Sequence, residues 1–265
     1  MTVVSKPVVR IASLVPSLTE LLFALGLGAR VVARTGFCIH PRDAVAGVPK
    51  VGGTKTPDLT RLRALAPSHV LVNVDENRLE TVEALREFVP QVLVTHPRTV
   101  QDNFALLAQM TEAFGHEPGV HERAALLTAD LQRALAAPVP ALPCPVLYLI
   151  WREPWMTVAR DTYISSLLAT VGWQTLPALD GGTSGAARYP ILDEADPSWR
   201  QAERVWLSSE PFRFKVAHTA EVQALAPQAQ VQQVDGELLS WYGPRAATAV
   251  RYLAELARVS GPSRG

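Results

Sequence analysis

Cys38 and His40 stand two residues apart in Phe37-Cys38-Ile39-His40-Pro41. A thiolate beside an imidazole is a soft and borderline donor pair that suits a metal ion or a chelated metal. Structural zinc needs four ligands, and no second Cys/His pair lies at a suitable spacing. Two readings of the pair therefore stand: a metal contact, or a buried thiol with His40 capping the turn before Pro41. Asp75-Glu76-Asn77-Arg78 holds a potential general base without a second carboxylate or an ordered nucleophile. Glu76 and Asn77 suit hydrogen bonds to ligand amides or hydroxyls, and equally suit a solvated helix N-terminus, where the dipole favours acids. Gly52-Gly53-Thr54-Lys55 lacks the GxxxxGK[ST] spacing of a phosphate loop, so its glycines point to a tight turn or a close backbone approach to a ligand. Ser184 has no partner that the sequence identifies, and GxSxG, HExxH and GxGxxG are all missing. These residues favour binding over catalysis.

Aromatic side chains gather in similar segments: Trp151 to Thr157 (WREPWMT), Ser208 to Phe214 (SSEPFRF) and Ser240 to Arg245 (SWYGPR). Such a set suits a large, flat, partly apolar ligand. The elements that must position them follow from the apolar pattern. Residues 8–15, 30–37, 70–74 and 91–96 read as strands, the third buried on both faces. Helices are expected over Ser17 to Leu25, with Ser17 and Glu20 as a capping box and Gly26 and Gly28 as the stop, then from Asp58 to about Leu65 and from Leu79 to Phe88. Strands alternating with helices indicate parallel sheets, whose ligands bind beyond the carboxyl ends of the strands.

The pattern then repeats. Ser68 to Arg78 and Glu203 to Arg213 each read as a short apolar strand ending in a small polar-acidic cluster. Each follows a helix-like stretch, residues 56–67 in one case and 191–202 in the other. Between the copies a helix over 118–137, about 30 Å long, leads into four prolines in the eight residues 138–145. The expected division is an N-terminal α/β lobe over 1–117, a connecting helix and Pro-rich linker over 118–142, and a C-terminal α/β lobe over 143–265, with a cleft between the lobes.

At 265 residues and 48% hydrophobic, the chain is long enough for two such lobes, each with its own core. Its 25 basic and 25 acidic residues cancel, which argues against a general nucleic-acid binder. Cys38 and Cys144 read as ordinary thiols, as a disulfide, or, for Cys38, as a ligand contact. Lys6 and Arg10 before an apolar run imitate a signal peptide, but Pro16 and Glu20 interrupt that run. No stretch approaches the roughly 20 apolar residues of a membrane span. The expectation from the chain as written is a soluble protein without an export signal, hence a cytoplasmic one.

Arg10 to Val32 (RIASLVPSLTELLFALGLGARVV), Val51 to Val72 (VGGTKTPDLTRLRALAPSHVLV), the long helix and SSEPF resemble, in combination, the class III substrate-binding proteins of ABC importers. These helical-backbone metal receptors bind cobalamin, ferric siderophores or haem. With FCIHP, GGTK, DEN, WREPWMT and DGELLSWYG, the chain looks most like the cobalamin-binding-protein-like branch, over about residues 8–258. The resemblance implies two Rossmann-like lobes with parallel sheets joined by one long α-helix, small closure, and no catalysis or required cofactor. The implied ligand is a corrinoid or a similar metal chelate, held by a monomer in the periplasm or at the cell surface and passed to an ABC permease. Trp151, Trp155, Phe212, Trp241 and Tyr242 would form apolar walls, with Phe37 as a further ligand-binding residue. His40, Glu76, Asn77, Arg152, Arg188 and Glu210 would be polar anchors, Ser17 and Lys55 further ligand-binding residues, and Cys38 and His40 a metal contact. A ferric siderophore would draw instead on Arg78, Arg152 and Arg188, and a haem-binding protein or a cytoplasmic metal-handling protein or enzyme on this fold is the further alternative. Importer-coupled relatives carry a docking glutamate on each lobe; here Thr60 stands at that position in the first and Glu194 near it in the second.

Overall fold

The computed structural model describes residues 8–137, 139 and 143–259, and the chain forms two compact units. One consists of Met1–His96 with Leu106–Leu126, the other of Pro97–Ala105 with Leu127–Gly265. Most of the Pro-rich linker, at Pro138 and residues 140–142, lies outside the described residues, as does Lys6.

In the first unit the elements run β1 (Ile11–Ser13), α1 (Pro16–Ala24), β2 (Val31–Arg34), α2 (Arg42–Val45), α3 (Leu59–Ala64), β3 (His69–Asn73), α4 (Leu79–Arg86) and β4 (Gln91–Thr95). The strands form one parallel sheet in the order β2-β1-β3-β4. Val70, Leu71 and Val72 are fully buried, as expected of a parallel strand covered on both faces. Val70 and Val72 join Leu14, Val51, Leu62 and Leu85 in the core on one side. Asp58 caps α3 by accepting a hydrogen bond from the Arg61 backbone N–H at 2.9 Å. The Ser17–Glu20 capping box does not form. Pro16, whose fixed φ suits the first helical turn, starts α1 one residue earlier, with Val15 as the extended N-cap. Ser17 is thereby carried inside the helix, buried, and its hydroxyl has no hydrogen-bond partner among the described residues.

Two helices, α5 (Asp102–Phe114) and α6 (Val120–Ala136), are each divided between the units. The second unit continues with β5 (Cys144–Leu149), β6 (Trp155–Met156), α7 (Tyr163–Ala169), β7 (Trp173–Leu176), β8 (Ile191–Leu192), α8 (Ser198–Gln201), β9 (Arg204–Ser208), α9 (Val216–Leu225), β10 (Gln230–Val234), α10 (Gly236–Ser240) and α11 (Ala246–Val259). Its parallel sheet has the order β10-β9-β5-β7, and β6 pairs with β8 in a small antiparallel ribbon. Residues 191–202 are not the helix that the sequence comparison suggests. Asp193 and Asp196 turn their side chains onto the backbone N–H groups of Ala195 and Ser198, both at 2.8 Å, so only one helical turn remains. That turn buries Trp199, whose indole N–H donates to the Asp193 carbonyl at 2.9 Å.

The two sheets are one connection pattern used twice. The first strand of each lies inside the sheet, the second pairs on one side, and the third and fourth follow on the other. Strand order therefore reverses between β1 and β3 in the first unit and between β5 and β9 in the second. At such a reversal the loops leave in opposite directions and open a crevice at the carboxyl ends of the strands. Among the described residues no helix is long and apolar enough to cross a membrane.

Candidate ligand-binding site

At the β1/β3 reversal, Asn77 ties three loops together. Its side-chain oxygen accepts from the Asn73 N–H at 2.8 Å, and its amide donates to the carbonyls of Thr54 at 2.8 Å and Leu14 at 3.4 Å. The amide is thus spent on the framework, and Asn77 is buried. Lys55 reaches across to donate to the Asp75 carbonyl at 2.6 Å. The Asp75 carboxylate lies 3.4 Å from His96 Nε2 at the end of β4, and Glu76 beside it is half-buried.

The loop after β2 is held by an arginine that the sequence reading passed over. Arg34 is only 4% exposed, and its guanidinium donates to the carbonyls of Val45 at 2.9 Å, Cys38 at 3.0 Å and Thr35 at 3.3 Å. Gathering three carbonyls fixes the loop so that Phe37 projects outward, 63% exposed, with Ile39 at 40%. Cys38 points the other way and is completely buried, its sulfur 3.1 Å from Thr35 Oγ1. Burial pushes its pKa up, against hydrogen bonds from Thr19 and Thr35, so it is a thiol rather than a thiolate at neutral pH. His40 is half-buried, and among the described residues no group of three His, Cys, Asp or Glu side chains is placed to hold a metal ion.

At the β5/β9 reversal the outward group is Trp151, 40% exposed, packed edge-on against half-buried Phe212 with ring centroids 5.5 Å apart. The backbone joins them as well, Phe212 N–H donating to the Ile150 carbonyl at 3.3 Å. Trp155, four residues on, faces the core instead. It stacks on Phe214 at 6.3 Å and meets Trp199 edge-on at 5.7 Å. Arg152 covers its outer side at 4.7 Å while pairing with Glu221 and Glu153, both at 2.7 Å. Arg188 lies 1% exposed within its own loop, donating to the carbonyls of Asp161 at 2.9 Å and Gly182 at 3.1 Å.

Glu210, Trp241 and Tyr242 form a second framework. Glu210 Oε1 accepts from Trp241 Nε1 at 2.6 Å and from Ser240 Oγ at 2.7 Å, which locks the SSEPF loop to the segment after α10. Arg245 lies over the Trp241 ring at 4.6 Å and pairs with Glu237 at 3.1 Å. Tyr242 is buried and meets Tyr163 edge-on at 5.9 Å. Burial raises the Glu210 pKa, opposed by the two hydrogen bonds. A carboxyl whose pKa is higher folded than unfolded loses stability as pH rises from its unfolded value, about 4.3, through its folded one. Glu210→Gln keeps an acceptor for both donors and removes that ionisation. Its Tm is therefore expected to exceed that of the unaltered protein at pH 7, the gain shrinking to nothing in melts near pH 4.

Of the residues expected from the sequence, the structure leaves Phe37 and Trp151 outward, with Phe212 behind Trp151. It places Ser17, Cys38, Asn77, Trp155, Arg188, Trp241 and Tyr242 inside the framework. Each parallel sheet thus carries an outward aromatic at its carboxyl end, Phe37 in one unit and Trp151 in the other, above a packed polar network. The chain belongs to the periplasmic binding protein family, whose model matches residues 11–193. It is similar to vitamin B12-binding proteins. That of Vibrio parahaemolyticus is 25% identical over 209 residues, 78% of this chain and 74% of the relative. That of Pectobacterium atrosepticum is 25% identical over 250 residues, 92% and 86% of the two chains. The periplasmic vitamin B12 binding protein of Vibrio cholerae has the same fold, with a TM-score of 0.75 at 19% identity over 96% of this chain and 98% of that one. A periplasmic heme-binding protein from Roseiflexus gives 0.72 at 21% identity over 94% and 97%.

Proposed function

We propose that this protein is a non-catalytic solute-binding component that takes a corrinoid-type metal chelate on the carboxyl-end loops of its sheets and passes it to an ABC permease. Its setting would be that of the family, the periplasm or the cell surface. The observation that carries the reading is the outward aromatic at the carboxyl end of each sheet, Phe37 in one unit and Trp151 in the other. A macrocycle face is wide, flat and apolar, and rigid aromatic groups bind such a face at little entropic cost. The fixed loops beneath, tied by Arg34, Asn77 and Glu210, reduce what ordering would otherwise subtract from affinity. The curated relatives' name, vitamin B12-binding protein, supplies the chelate class.

Calorimetric titration with cyanocobalamin tests the reading, with haemin titrated in parallel. Saturable heat with cyanocobalamin is expected, and Trp151→Ala is expected to weaken it by about tenfold or more, as for a central aromatic contact. No heat at high micromolar cyanocobalamin, or binding of haemin alone, would overturn the corrinoid assignment.

A further inference from the structure

An open cavity of about 490 Å3 lies at the carboxyl ends of β9 and β10, lined among others by Ser209, Arg213, Phe214, Gln233, Asp235 and Glu237. It lies within the size range of small-molecule pockets, about 300–1,000 Å3. Its charges are not equivalent. Glu237 is answered by Arg245 at 3.1 Å. Asp235 is bound to backbone, its Oδ1 accepting from the Leu238 N–H at 3.0 Å. Arg213 is different: no hydrogen bond, ion pair or ring contact engages its guanidinium among the described residues. The wall beside it is rigid. Gly236 N–H donates to Ser209 Oγ at 2.9 Å, and a Cβ at Gly236 would strike Ser208 Oγ and approach the Glu210 backbone nitrogen to 2.8 Å. Among the cavity's ionisable side chains Arg213 alone makes no hydrogen bond or ion pair with the described residues, and it stands on the same loop as Phe212.

We propose that Arg213 binds the phosphodiester of the corrinoid's nucleotide arm, the one anionic group on a ligand otherwise fringed with neutral amides. The proposal rests on the corrinoid reading above and assigns a part of the ligand to a part of the protein. A planar guanidinium matches two phosphate oxygens in a bidentate pair. The cavity then takes the nucleotide arm, while Trp151 and Phe212 are left for the macrocycle.

The test compares cyanocobalamin with dicyanocobinamide, which lacks the phosphate, ribose and base, by calorimetry on the full chain and its Arg213→Gln variant. The variant is expected to lose about tenfold in cyanocobalamin affinity, the worth of one charge-assisted hydrogen bond, and far less for dicyanocobinamide. The cyanocobalamin loss should also shrink in concentrated salt. Equal losses for both ligands, or none for either, would overturn the Arg213 assignment while leaving corrinoid binding in place. Should the unaltered protein bind neither ligand, the corrinoid reading falls and this proposal with it. Arg213 is exposed, so an unchanged melting curve is expected of the variant; if Arg213→Gln fails to fold, Arg213→Lys carries the same comparison, with a smaller loss.

Discussion

Replacing Trp206 by alanine is expected to destabilise the protein by about 3–5 kcal/mol, among the largest single costs available in its core. Trp206 lies in the middle of β9, fully buried, and meets Trp173 at 5.4 Å and Tyr148 at 6.3 Å, both edge-on. Those three rings bridge β7, β5 and β9, so their packing holds three of the four strands of the second sheet in register. Truncation leaves a cavity that neighbours on fixed strands fill only in part. A chain of this size loses roughly 2–4 °C per kcal/mol, so a thermal melt should show Tm lower by roughly 6–20 °C. Among the described residues the indole N–H of Trp206 has no hydrogen-bond partner, which yields a sharper comparison. Trp206→Phe gives up some volume but also removes a buried unsatisfied donor, and is expected to cost well under half as much. Equal losses for the two variants would show that the ring packing is not what carries the stability.

The sheets were legible in the sequence because buried parallel strands advertise themselves. Val70 to Val72 and Val205 to Leu207 are apolar runs bounded by polar residues, and their spacing repeats along the chain. The loops were legible in position and less so in role. Composition says that Trp151 and Trp155 share a loop, but nothing in it says that Trp155 falls in a two-residue strand facing Phe214 and Trp199 while Trp151 faces out. Which side of a loop faces solvent depends on contacts from segments about 40 to 60 residues away. Arg188, expected as a polar anchor, is buried for a related reason: neighbouring carbonyls satisfy its guanidinium. Arg34 left no signal at all, because its partners are backbone carbonyls, which every sequence supplies. Ser17 shows the limit of motif reading: the capping spacing was present, and Pro16 overrode it.

Asn77→Asp is the complementary experiment, nearly isosteric and aimed at the knot beneath the first unit's loops. One oxygen can still accept from the Asn73 N–H, but the other replaces an amide donor that faces the carbonyls of Thr54 at 2.8 Å and Leu14 at 3.4 Å. An ionised carboxylate there meets two carbonyl oxygens in a buried site, and the expected cost at pH 7 is about 3 kcal/mol. Protonation restores a donor, so the fold favours the neutral form of the introduced carboxyl and raises its pKa above the unfolded value of about 3.9. The sign follows: the penalty is complete above the raised folded value, shrinks as pH falls through it, and is least below the unfolded value. Urea titrations at pH 7 and near pH 4, each referred to the unaltered protein at the same pH, should show the gap narrowing towards acid. Hydrogen exchange at pH 7 should place the loosening at residues 51–57 and 73–78, leaving β9 and β10 protected. A gap independent of pH would mean that Asn77 acts by shape alone. Loosening of these loops with unchanged cyanocobalamin affinity would mean that the first unit's edge contributes little to binding. Because the same amide anchors the loop after β1, the Gly52-to-Lys55 loop and the end of β3, affinity and local exchange are expected to move together.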